Sequence, residues 1–174
     1  MRKPRIRVAL LLVAALALTL GVASAIAAHG GSVKIFVMDR CEPDSFNAAI
    51  GAGTCVLNGG VKFDLFVSML NPKDGGHNAW TNSRHEVGLK SGEHLTLTNT
   101  GGEDHTFTEV ANFGTGFVPP LNAALPVGTP AAVPVGALNF MGAGDTLELG
   151  QLSPGTHLFE CLIHPWMRTV AEQS

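Results

Sequence analysis

From Val33 onward the chain alternates short apolar stretches with turn residues, and no helix-length amphipathic period is present. Val33 to Val37, Val61 to Val67, His94 to Thr98 and Thr146 to Leu149 read as strands, several of them with period-two alternation. Turn residues separate them at Asn58-Gly59-Gly60, Asn71-Pro72, Gly75-Gly76, Gly101-Gly102 and Ser153-Pro154-Gly155. The pattern predicts an all-β sandwich of about seven or eight strands. Asn112 to Gly144 breaks the rhythm, holding five of the ten prolines. With strands expected on both sides, it reads as a long surface excursion, a kind of loop that is uncommon unless functional or disordered. Phe113, Phe117 and Val118, beside the pair Pro119-Pro120, suggest a packed cover.

The 174 residues fit one domain with room for a real core. Only 14% are charged, against about 25% in average chains, which argues against disorder and coiled coil. Four of the eleven basic residues, Arg2, Lys3, Arg5 and Arg7, precede an apolar run from Val8 to about Ala23 and the small-residue stretch Ala23 to Ala28. These three regions predict a secretory signal peptide over 1–28, cleaved after Ala25 or Ala28, with one folded domain over 29–174. The run is about sixteen residues, short of the ~20 that span a bilayer, so no membrane association is expected of the mature form. An uncleaved N-terminal anchor is the alternative, and either way the domain lies outside the cytoplasm. Without the leader's bases, seven basic residues face fourteen acidic ones, a net of −7 that disfavours nucleic acid.

Export changes the meaning of Cys41, Cys55 and Cys161, because disulfides persist in oxidising compartments. Cys41 and Cys55 lie close in sequence and are expected to pair. Pairing of Cys161 with one of them is the alternative, and the neighbours of Cys161 speak against it. The segment Glu160-Cys161-Leu162-Ile163-His164-Pro165-Trp166-Met167 presents Cys, His and Met at spacing C-x2-H-x2-M on a predicted strand and tight turn. Thiolate, imidazole and thioether together select a soft or borderline metal, and two imidazoles with one thiolate and a distant thioether make a blue-copper site. The second imidazole must come from another strand, and His105, following a predicted strand and the Gly101-Gly102 turn, is the best candidate.

The order His, long interval, Cys-x2-His-x2-Met resembles the cupredoxins of the plastocyanin and azurin family, and the short ligand loop with Pro165 after its His is most like that of the amicyanins. The resemblance implies a Greek-key β-sandwich holding one type 1 copper. His105, Cys161 and His164 would be its equatorial ligands and Met167 the weak axial one. It also implies that the Thr106 backbone N–H supports the Cys161 sulfur, and that the His164 ring edge reaches the surface as the electron exit. Pro165, Trp166 and Phe113 to Pro120 would supply an apolar docking patch, with the Trp166 side chain turned towards solvent or the proline-rich excursion. The 56-residue interval from His105 to Cys161 and the Cys41/Cys55 stretch exceed what small members need, which places the excursion beside the metal.

Zinc is disfavoured because a thioether is a poor zinc ligand. Covalent haem and a thioredoxin-like pair are excluded by the absence of Cys-x-x-Cys. His94 and His157 are expected on strand faces, His77 and His85 in polar loops, and His29 at the mature N-terminus if cleavage follows Ala28. The expected function is one-electron transfer between redox-partner proteins by transient docking. Two other classes stay open: copper handling, and a module serving a copper oxidase or reductase. The latter would need further His ligands, whereas Glu160 and Leu162 flank Cys161.

Overall fold

The computed structural model describes residues 30–174, so the expected leader over 1–28 and His29 lie outside the described residues. In chain order the elements are β1 (Ser32–Met38), α1 (Pro43–Ala49), α2 (Phe63–Ser68), β2 (Thr81–Asn82), β3 (Glu86–Leu89), β4 (His94–Asn99), β5 (His105–Thr106), β6 (Thr108–Val110), a 3-10 helix (Pro119–Ala124), β7 (Phe140–Met141), β8 (Thr146–Glu148), β9 (Gly155–Glu160) and β10 (Arg168–Gln173). Two four-stranded sheets, in the orders β2-β1-β4-β8 and β3-β10-β9-β6, are joined by the small pair β5-β7. Strands β1 and β4 run parallel from Ser32 opposite His94, and β3 and β10 are parallel too. Parallel neighbours cannot be joined by a hairpin, so the chain crosses over between them. This is the expected β-sandwich, and the strand count exceeds the expected seven or eight because β2, β5 and β7 are two-residue pieces.

Period two decides which side chains meet between the sheets. Ile35 and Val37 of β1 and Leu95 and Leu97 of β4 face Val87, Leu89, Phe159 and Ala171 of the opposite sheet, all buried. Phe107, between β5 and β6, stacks on Phe159 with ring centroids 4.7 Å apart. The cost of ordering this core is opposed by roughly 1.5–3 kcal/mol for each large apolar side chain fully buried.

The strand expected over Val61 to Val67 is not one: residues 63–68 form α2. Alternation would bury Phe63, Leu65 and Val67 together, yet Leu65 is 51% exposed and Val67 43%, while Phe66 is buried. Phe63, Phe66 and Leu70 share a helical face at i, i+3 and i+7. What selects that face is an aromatic cluster: the Phe46 ring of α1 lies 5.2 Å from Phe63 and 5.7 Å from Trp80, and Phe66 lies 4.5 Å from Trp80. The Cys41–Cys55 disulfide closes this insert, as expected.

The proline-rich excursion packs in part: Ala124 and Leu125 are buried, whereas Val127, Val133, Val135 and Leu138 are exposed. Its Thr115 bridges to Ala131 and its Val110 end to Pro134, and the 3-10 helix lies between. Gly116 has no room for a side chain, because a Cβ there would lie 2.1 Å from the Leu162 carbonyl oxygen. That contact lets the Phe117 N–H donate to the same oxygen at 2.6 Å, binding the excursion to the loop after β9.

Candidate metal centre

His105 opens β5, Cys161 follows β9 and His164 stands in the turn towards β10. All three are buried, and their donor atoms lie within 4.8 Å of one another. Cys161 Sγ is 3.7 Å from His105 Nδ1 and 3.8 Å from His164 Nδ1. An ion bonded at about 2.0–2.3 Å to each donor, as first-row metals are to imidazole and thiolate, needs sulfur-to-nitrogen edges of about 3.7 Å in a trigonal plane. Both sulfur-to-nitrogen edges match what such a soft or borderline metal needs. Among the described residues this is the cluster of His, Cys and acidic groups that could hold one.

Backbone geometry prepares the sulfur. The Thr106 N–H donates to Cys161 Sγ at 3.3 Å, as expected, and the His164 N–H donates at 3.4 Å. Thr106 Oγ1 in turn accepts from the Leu162 N–H at 2.7 Å, so one residue fixes both the sulfur and the start of the loop. The loop closes on itself: Cys161 N–H donates to the Met167 carbonyl and Met167 N–H to the His164 carbonyl. Met167 is fully buried there.

Two carboxylates stand behind the imidazoles, and neither was anticipated from the sequence. Asp39 Oδ2 lies 3.0 Å from His105 Nε2, both side chains fully buried. Asp39 also accepts from the N–H groups of Cys41, Gly102 and Glu103. This explains Gly101 and Gly102: a Cβ at Gly101 would lie 1.8 Å from Asp39 Oδ2, and one at Gly102 would lie 2.8 Å from Cys41 Sγ. With Asp39 accepting at Nε2, the His105 tautomer that leaves Nδ1 free for a metal is the favoured one. On the other side, Glu103 Oε2 accepts from Trp80 Nε1 and lies 3.6 Å from His164 Nε2.

Burial alone would raise the Cys161 thiol and lower both imidazoles. Hydrogen bonding and charge attraction within the group outweigh it: the thiol is held well below its usual value, and His105 and His164 are raised. Burial would also raise Asp39, but His105 and the backbone N–H donors hold it below the usual carboxylate range.

On the expected exit face, His164 is 2% exposed and Pro165 is buried, with the Phe66 ring of α2 6.4 Å from the His164 ring. Trp166 is partly exposed and packs on the insert rather than on the excursion. It lies over Gly76, 6.2 Å from the Phe66 ring, and its Nε1 donates to the Trp80 carbonyl. The insert, invisible in the ligand motif, supplies these neighbours. His94 and His157 do lie on strands. His85 is exposed beside β3, whereas His77, although in a loop, is buried against Trp80 at 5.2 Å.

No family model matches the chain, and no curated protein matches it. Among solved structures it is similar to a novel purple cupredoxin from Nitrosopumilus maritimus, at 13% identity over 82% of this chain and 99% of that one, with a TM-score of 0.46. It is also similar to reduced variants of amicyanin. One is a Cu(I) form, 20% identical over 55% of this chain and 74% of that one at a TM-score of 0.38. Another is 19% identical over 56% and 77% at 0.39. At these overlaps the site is read from its own donor geometry.

Proposed function

We propose that the chain is an exported type 1 copper protein that carries single electrons, with His105, Cys161 and His164 as equatorial ligands and Met167 as the axial one. The observation that carries this reading is the buried set of one sulfur with two Nδ1 atoms at 3.7 and 3.8 Å, its sulfur already accepting two backbone N–H bonds. Bound copper would supply a one-electron couple between Cu(II) and Cu(I). The chain's residues hold that couple in one geometry. Asp39 orients His105, Thr106 fixes the sulfur, and the closed loop from Cys161 to Met167 limits ligand movement. Rigid donors that need not rearrange favour fast transfer.

Export rests on the leader pattern over 1–28, and the Cys41–Cys55 bridge suits an oxidising compartment. Among the described residues no helix is long and apolar enough to cross a membrane. Redox-partner proteins dock transiently, over the side where Phe66 and Trp166 cover His164. A carrier is favoured over an oxidase or reductase module because, among the described residues, one cluster can hold a metal. It is favoured over copper handling because that cluster is buried. Voltammetry of the copper-loaded protein tests the reading: a reversible one-electron wave is expected, and Met167→Leu should raise its potential by weakening the hold on Cu(II). An irreversible wave, or a lowered potential in that variant, would count against it.

A further inference from the structure

A cavity of about 500 Å³ opens between the aromatic insert and the proline-rich excursion. Phe63, Phe66 and Leu70 form one wall, Val118 and Leu121 the other, and Ile163 of the ligand loop lies beside them. The floor is polar: Glu103 and His164 line it. The volume falls in the range of about 300–1,000 Å³ typical of small-molecule sites, which pair apolar walls with a few placed polar groups.

Glu103 is 6% exposed, and its two oxygens differ. Oε2 accepts from Trp80 Nε1 and faces His164 Nε2, whereas Oε1 has no hydrogen-bond partner among the described residues. A carboxylate oxygen at the cavity with no donor from the protein is one that a ligand O–H can serve in place of water. The flat rings of Phe63 and Phe66 suit an aromatic body, since aromatic pairs gain beyond their buried area. An ammonium donor is a poorer match, because on the copper reading the metal's positive charge stands one imidazole away.

We infer that this cavity binds a small aromatic molecule with one free hydroxyl, of the phenol or hydroquinone class, its ring between Phe66 and Leu121 and its O–H donated to Glu103 Oε1. The inference deepens the proposed function by naming a small-molecule redox partner that reaches the edge of His164. Binding itself does not depend on the metal.

The test titrates 2-naphthol and its methyl ether, 2-methoxynaphthalene, into the folded protein, both metal-free and zinc-loaded, with NMR shifts as the readout. Saturable shifts are expected at Phe66, Leu121 and Ile163, with the naphthol at least tenfold tighter than the ether. In Glu103→Gln the amide oxygen serves Trp80 and the NH₂ faces the cavity, so that preference should largely vanish. Leu121→Trp should fill the cavity and remove binding of both. Equal affinity for the two probes in the unaltered protein, or shifts confined to other surfaces, would overturn the inference. An intense copper–thiolate band in a protein that binds neither probe removes the cavity's role alone. Selective naphthol binding without such a band removes the copper reading and leaves the cavity site.

Discussion

Replacing Asp39 by Asn keeps shape and volume but removes the charge that faces His105. Oδ1 accepts from the Cys41 and Gly102 N–H groups, and an amide oxygen placed there would keep both bonds. Oδ2 accepts from the Glu103 N–H and lies against His105 Nε2, each at 3.0 Å, and there an NH₂ would meet two donors. Two hydrogen bonds to a charged acceptor are lost, at about 1.5–3 kcal/mol each, so a stability loss of about 3–6 kcal/mol is expected. His105 can relieve its half of the conflict by moving its proton from Nε2 to Nδ1. That proton then occupies the atom aimed at Cys161 and competes with the metal. Losing such an outer carboxylate costs roughly 10–100-fold in metal affinity. Urea denaturation of the metal-free form measures the first effect, and chelator competition for Zn(II) measures the second. Asp39→Ala, which leaves all four donors unpaired, should be less stable still. Wild-type zinc affinity in a destabilised Asp39→Asn protein would refute the orienting role and leave Asp39 as a purely structural brace.

Two other expectations follow from structure away from the metal. Opening the Cys41–Cys55 bridge with paired Ser substitutions should destabilise the domain by roughly 3 kcal/mol, the chain-entropy value for a loop of about fifteen residues. Alkylation of the apoprotein unfolded without reductant, followed by mass spectrometry, should label Cys161 alone, and labelling of all three would contradict the pairing. His157 has Glu109 Oε1 at 2.6 Å from Nδ1 and the Ser153 carbonyl at 2.8 Å from Nε2, two acceptors that only an imidazolium satisfies together. Burial would lower this histidine, but these partners outweigh it and raise it. Its stabilisation, about 1 kcal/mol for a partly exposed pair, is therefore complete below the ordinary histidine range, near 6.5, and is lost as pH rises through the higher folded value. Melting curves from pH 5.5 to 8.5 should show that loss in wild type and not in His157→Gln; parallel pH slopes would rule it out.

The cluster of His105, Cys161 and His164 was legible because most of it is local: Cys161 and His164 share one tight turn, and His105 is flagged by the Gly-Gly turn before it. The turn's own reason was not legible: Gly101 is small because Asp39, more than sixty positions earlier, packs onto it. Asp39 and Glu103 carry no motif, since only the β1–β4 pairing and the insert bring them to the imidazoles. The insert misled in the same way. Val61 to Val67 alternates as a strand would, and only the Phe46–Trp80 cluster makes the helical face the one worth burying. The same helix places the Phe66 ring 6.4 Å from His164, a neighbour of the metal centre that the ligand motif does not announce.

The most direct test of the copper assignment is the visible and electron-paramagnetic-resonance spectrum of the Cu(II)-loaded protein beside Cys161→Ser. An intense thiolate-to-copper charge-transfer band is predicted for the unaltered protein and none for the variant, while His77→Ala keeps the band. A band that survives Cys161→Ser, or a copper-loaded wild type with only the weak absorption of nitrogen and oxygen ligands, would contradict the proposed centre.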